Sequence, residues 1–280
     1  MFSGYGFFDY KYDIEGYNGQ DYNGPGRYIY IALVVVLTIL FLILFRKAKK
    51  EQVDKYLKVL GIFMICFYIL KTTWESIYDI MRTGSFNVGI LPFDTCSIVM
   101  WAGLLAGFGK GKLKKIGECW LSTGGLVGGI SAALFLQAFN YYPFFTFGAF
   151  YSMIWHLIMV FTGFFLIVVG RVELNMKTVL YGFVFHMAIS IIVIPLNYFI
   201  GQDFMLYKSA GGAPFVQDLA ALLIEKNLGF IVPIIMIIFY FGLFTFIIYA
   251  SLGIKLLIKL ISSLFVKKEE VKEETIKQEE

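Results

Sequence analysis

The stretch Leu91-Pro92-Phe93-Asp94-Thr95-Cys96 opens an apolar run that continues through Met100, Trp101 and Leu105 to Phe108. Pro92 has no backbone donor to lose, which suits the first turn of a helix. Asp94 suits the same turn, where a carboxylate meets the positive end of the helix dipole. The run is followed by Lys110, Lys112, Lys114 and Lys115, so it reads as a membrane span closed by a basic loop. Neither a carboxylate nor a thiol is needed to cross a bilayer. Asp94 and Cys96 at the mouth of this span are therefore candidates for function.

The rest of the chain agrees with that reading. Of 280 residues, 59% are hydrophobic and only 16% charged, whereas a soluble domain is about a quarter charged. Apolar runs recur at 28–45, 53–80, 91–108, 116–136, 149–170, 178–198 and 228–250. Basic residues follow the first, third, fifth and seventh runs, and the intervening loops are mixed or uncharged. The positive-inside rule then predicts an all-α polytopic bundle of seven transmembrane helices in the cell membrane, with the N-terminus outside and the C-terminus cytoplasmic. Three parts follow: an extracytoplasmic tail over 1–27, the membrane domain over 28–265, and a charged cytoplasmic tail over 266–280. The first tail, rich in Tyr, Gly and Asp, reads as a loose segment hugging the interface. The opening residues lack the basic start and apolar core of a cleavable signal peptide.

Composition also excludes several functions. The net charge of +4 is spread over short loops, with no basic stripe for a nucleic acid. Cys66, Cys96 and Cys119 lie inside apolar runs, with neither a disulfide framework nor metal-ligand spacing. No metal or other cofactor is expected. Ser122 to Ser131 carries overlapping small-residue pairs, Gly124 with Gly128 and Gly125 with Gly129, and span three carries Gly103 with Gly107. Such pairs let helix backbones approach, within one chain or across a dimer; the oligomeric state stays open. The long connection over 201–227 includes an amphipathic stretch from Pro214 to Lys226, read as an interfacial helix and a candidate lid.

Charged side chains in a span cost about 2.5–3.5 kcal/mol each at its centre and so face the bundle interior and find partners. Span two carries Lys71, Trp74 and Glu75; Lys71 and Glu75 are four apart and share a face. In the predicted topology, Glu75, Asp94, Cys96, His156 and Asn197 come from four spans and share the outer half of the membrane. Lys71 lies just beneath them, and His186 nearer mid-depth. This shared depth marks a polar cavity.

The order Leu91-Pro92-x-x-x-Cys96, a glycine-rich fourth span, Trp155-His156, Asn197-Tyr198, Phe204-Met205-x-Tyr207 and Pro214 resembles the YwaF-like integral membrane proteins of bacteria. Their third span commonly reads Leu-Pro-Leu-His-Leu-Cys, so Asp94 stands where that family has histidine. The family is similar, distantly, to a eukaryotic multipass acyltransferase that moves fatty acyl chains between phospholipids with a Cys and a His. That resemblance implies His156 as the histidine; the position directly after the proline is Phe93 here.

Three functions compete. The first is binding of a lipid headgroup or small polar ligand by Lys71, Trp74, Glu75, Asp94 and Asn197, with membrane lipids as partners. The second is a membrane enzyme with Cys96 as nucleophile and His156 as base, which needs the two groups within hydrogen-bond reach. The third is a structural or accessory protein whose polar layer only joins helices.

Overall fold

The computed structural model describes residues 6–279, apart from 12, 15, 20–22, 136 and 212–215. Leu136, the expected end of span four, and Pro214 and Phe215, expected to open the amphipathic helix, lie outside the described residues. The order is α1 (Pro25–Phe45), α2 (Lys50–Thr83), α3 (Ile98–Phe108), α4 (Gly111–Leu121), α5 (Gly124–Leu134), α6 (Phe147–Val168), α7 (Met176–Ile200), α8 (Val216–Glu225) and α9 (Val232–Glu279). Among the described residues there is no strand.

Five stretches are long and apolar enough to cross a membrane: Pro25–Phe45, Gly111–Asn140, Phe147–Val168, Met176–Ile200 and Gly229–Ile261. The chain is a multipass membrane protein. α2 has the length, at 34 residues, but carries charge along it. α3 has only 11 helical residues.

Packing follows from small residues and inward apolar faces. α2 packs on α3, α3 on α4, α5 on α6, α4 on α7, α1 on α6 and α7 on α9. The α2–α3 crossing is close because Gly107 has no side chain: a Cβ there would lie 2.7 Å from the Leu57 carbonyl oxygen. Gly103 faces Gly61 in the same crossing, and Gly129 faces Val160 of α6. The small-residue pairs thus serve contacts within the chain. One core joins Leu57, Met64, Ile98, Trp120, Met159 and Phe244.

Three expectations about local structure are overturned. Span three does not begin as a helix at Leu91. Proline disfavours helical geometry in the residue before it, and Leu91 is extended, with ψ 149°. Turns occupy 91–97, and helix starts at Ile98. Span four is not one rod: it breaks at Ser122 and Thr123 between α4 and α5. Finally, the described part of the N-terminal segment is not loose. Tyr10 and Ile14 are buried in a second core with Tyr30, Phe139 and Tyr142. The Phe147 amide donates to the Phe7 carbonyl at 2.6 Å, and Tyr17 donates to the Phe139 carbonyl at 2.6 Å. Aromatic side chains made this possible; composition alone reads the same residues as interfacial.

Candidate functional site

The segment 91–97 leaves its backbone groups without a helical ladder, so surrounding helices must hold them. Tyr68 of α2 donates its hydroxyl to the Ile90 carbonyl. Trp155 of α6 donates its indole N–H to the Cys96 carbonyl at 3.0 Å. Thr95 hydrogen-bonds the Tyr240 hydroxyl of α9 at 2.9 Å, and Tyr240 donates onward to the Met205 carbonyl at 3.1 Å. Trp101 closes the segment with a bond to the Pro92 carbonyl at 3.2 Å. Three helices therefore fix the loop that presents Asp94 and Cys96. Both remain accessible: Asp94 is exposed and Cys96 half-buried.

Around this loop the charged layer takes shape. Lys71 pairs with Glu75 at 2.5 Å, and its ammonium lies 5.7 Å from the Tyr151 ring centroid. Asp94, from a different element, lies within electrostatic range of Lys71 and of Asp203. Tyr151 stacks on Trp155 and lies within range of both Glu75 and Cys96. Lys71, Glu75, Asp94 and Cys96 thus each lie within range of Tyr68 or Tyr151, two rings that both contact Trp155.

The other candidates sit differently. Asn197 is fully used: its amide donates to the Phe204 carbonyl at 2.8 Å and accepts the Phe204 amide at 2.9 Å. It clasps the turn whose Phe204 ring packs on Phe93, at 5.9 Å between centroids. Trp74 is turned toward the N-terminal segment, where it donates to the Phe8 carbonyl at 3.3 Å and packs against Tyr10, Tyr78 and Phe147. His156 is buried on α6. Its Nδ1 faces the Ser152 carbonyl at 2.7 Å, which assigns the proton to Nδ1 and leaves Nε2 as an acceptor without a partner. No hydrogen bond joins it to Cys96 among the described residues. His186 belongs to a separate group: its Nε2 meets the Tyr207 hydroxyl at 3.1 Å, and Tyr207 meets Ser190 at 2.5 Å.

Two buried carboxylates escaped the sequence reading. Asp79, 3% exposed, accepts the Tyr10 hydroxyl at 2.9 Å. Glu118, also 3% exposed, is bound by Arg171, which reaches Asp54 at 3.0 Å; Lys114 holds Asp54 at 2.7 Å. Glu118 stood in plain view inside an apolar run, with a lone arginine closing span five as its signal. Asp79 needed the N-terminal fold to give it a partner. Among the described residues, no group of three His, Cys, Asp or Glu is placed to hold a metal ion.

A cleft of about 310 Å³ adjoins the loop, lined by Tyr68, Thr72, Ser76, Ile80, Ile90 and Pro92 among others. Thr72 and Ser76 bond carbonyls of their own helix, at 2.9 and 2.7 Å. The cleft surface left over is mostly apolar.

No curated protein and no solved structure matches the chain. The model of the TMEM164 family matches residues 22–254, which includes every helix from α1 to α8, the loop at 91–97 and most of the apolar part of α9. The chain therefore belongs to the TMEM164 family of multipass membrane proteins.

Proposed function

We propose that this protein is a YwaF-like seven-span protein of the cell membrane, N-terminus outside, that binds a phospholipid headgroup in its outer half. In this reading 1–27 is extracytoplasmic, 28–265 forms the membrane domain and 266–280 is the cytoplasmic tail. The observation that carries it is the accessible Asp94 within electrostatic range of Lys71, which is itself paired with Glu75. Here the Lys71 side chain retains 23% exposure and Asp94 is open. Opposite charges within electrostatic range of one another suit a zwitterionic headgroup, and the mostly apolar cleft beside Pro92 suits its chains.

A second reading, acyl transfer through Cys96, has its own support. The thiol is accessible, its loop is held from three helices, and the buried His156 keeps an unused acceptor nitrogen. Transfer then requires closure of Cys96 toward His156, since catalytic hydrogen bonds often form only with substrate bound.

One experiment separates these readings. The wild-type protein, Lys71→Met, Asp94→Asn and Cys96→Ser are purified from the same cells, and co-purified phospholipid is measured by mass spectrometry. Headgroup binding requires lipid loss in the first two variants and retention in Cys96→Ser. Equal retention in all four rejects it. Acyl transfer requires Cys96→Ser to abolish exchange of labelled acyl chains between phospholipids in vesicles; undiminished exchange rejects that second reading.

A further inference from the structure

The basic residues of this chain are unevenly placed. The stretches 46–58, 109–118 and 171–177 hold twelve basic and four acidic side chains, while the whole chain carries only +4. The fold gathers all three stretches at one end of the bundle. Lys114 and Arg171 both reach Asp54, Arg171 also binds Glu118, and Lys115 donates to the Arg171 carbonyl at 2.5 Å. A Cβ on Gly107 would lie 2.9 Å from Lys58 Cα, so the end of α3 meets α2 there as well.

That network spends Asp54 and Glu118 on Lys114 and Arg171. Outside it, Arg46, Lys47, Lys55, Lys58, Lys110 and Lys112 are exposed and, among the described residues, make no ion pair. Their placement is unfavourable taken alone. Lys110 caps α4 without a capping bond, and the first turn of α4 holds Lys112 and no acid. Cations at a helix start oppose the positive end of its dipole, which favours anions instead. Basic loops would be enough to set membrane orientation. Lys55 and Lys58 are not in a loop. They lie within α2, share one face, and lead into the exposed apolar Val59, Ile62 and Phe63. Phe108 and Leu113, on either side of Lys110, are exposed as well. The free cations therefore border the lipid-facing surface, where a lysine stem covers apolar area and its ammonium reaches the headgroups.

We infer that this end of the bundle is a binding surface for an anionic phospholipid, one whose phosphate has no compensating amine, held by Lys55 and Lys58 of α2 and by Lys110 and Lys112 at the start of α4. Charge decides the headgroup: the free side chains are all cations, and each one near an anionic leaflet adds attraction that salt screens. Position decides the class of partner: a soluble polyanion needs cations facing water, whereas these adjoin exposed apolar residues of α2, α3 and α4. Lys71 lies thirteen residues beyond Lys58 on α2, about 20 Å along the helix, so this surface is separate from the zwitterionic headgroup site and stands without it.

The test reconstitutes the full chain in phosphatidylcholine vesicles and adds a trace of spin-labelled phosphatidylglycerol or spin-labelled phosphatidylcholine. The motionally restricted fraction of each label measures its contact with the protein. At low salt the wild type is expected to prefer phosphatidylglycerol about fivefold or more, and concentrated salt to remove most of that preference. Lys58→Gln with Lys110→Gln should cut the preference about threefold or more. Lys58→Arg with Lys110→Arg should keep it, which separates lost charge from lost fold. Lys208→Gln with Lys226→Gln removes as much charge outside this surface and should leave the preference unchanged. No preference in the wild type overturns the inference. So does an equal loss in the two glutamine pairs, which means net charge alone. Displacement of the labelled lipid by inorganic phosphate, but not by chloride at the same ionic strength, means a soluble anion and overturns it as well.

Discussion

Tyr10 reaches from the N-terminal segment to Asp79 on α2, and its hydroxyl donates to one oxygen of a buried carboxylate whose other oxygen is unpaired. Beside it, Tyr78 stacks on the Tyr10 ring and Trp74 meets it edge to face. Tyr10→Phe keeps the ring and removes the donor, leaving more of the Asp79 charge unsatisfied. The expected loss is about 1–3 kcal/mol, read as a lower thermal midpoint in detergent. Asp79→Leu on the Tyr10→Phe background should recover part of it, because no buried charge then remains. A double variant no more stable than Tyr10→Phe contradicts this account. Arg82 pairs with Asp13 across the same contact, so the segment is held by charge as well as by rings.

Elements meet where glycine removes the side chain between them. Gly107→Val should force α2 and α3 apart, since even a Cβ meets the Leu57 backbone at 2.7 Å. Overpacking of this kind costs about 1–3 kcal/mol or more. Gly242→Ala in α9 is the matched control. A Cβ there meets nothing within 4 Å, so the helix should gain up to about 1 kcal/mol. Melting the two variants in parallel checks the pair; equal effects would mean the crossing is not close. Spacing revealed the small-residue rows in both helices. It did not reveal the break at Ser122 and Thr123, because Ser-Thr-Gly-Gly inside an apolar run reads equally as close packing. Nor did it reveal the turns over 91–97: a proline and an acid suit a helix start until three neighbouring helices offer the backbone other partners.

At the scale of the whole molecule, one charge network ties α2, α4 and the turn after α6. Lys114 and Arg171 both reach Asp54, and Arg171 also binds Glu118. The hydrogen bond from Lys114 is the largest influence holding the Asp54 carboxyl below its ordinary range, with the Arg171 charge adding to it. The sign follows from linkage. A carboxyl with a lowered folded value stabilises the fold fully above its ordinary value, and that contribution is lost as pH falls through the lowered one. The thermal midpoint of the wild type should therefore drop on acidification through the carboxylate range, and Asp54→Asn should show a lower midpoint at pH 7 and a shallower drop. The side chain is 29% exposed, so screening keeps the effect modest. Parallel slopes in the two proteins would remove Asp54 from this role.

The sequence by itself determined that this chain crosses a membrane several times as helices, because apolar runs of bilayer length and basic residues between them answer only to the solvent around each segment. It also singled out Lys71, Glu75, Asp94 and Cys96, since charge and thiol in such runs are expensive and rare. Only the tertiary structure decided which of these meet. Trp74 turned to the N-terminal segment, Asn197 to Phe204, and His156 to its own helix, while Tyr151, Tyr68 and Tyr240 entered the site from outside the expected set. Depth along a helix is legible from residue count, but the direction a side chain faces depends on helix rotation and on breaks in the rods. Those are settled by packing between segments far apart in the chain.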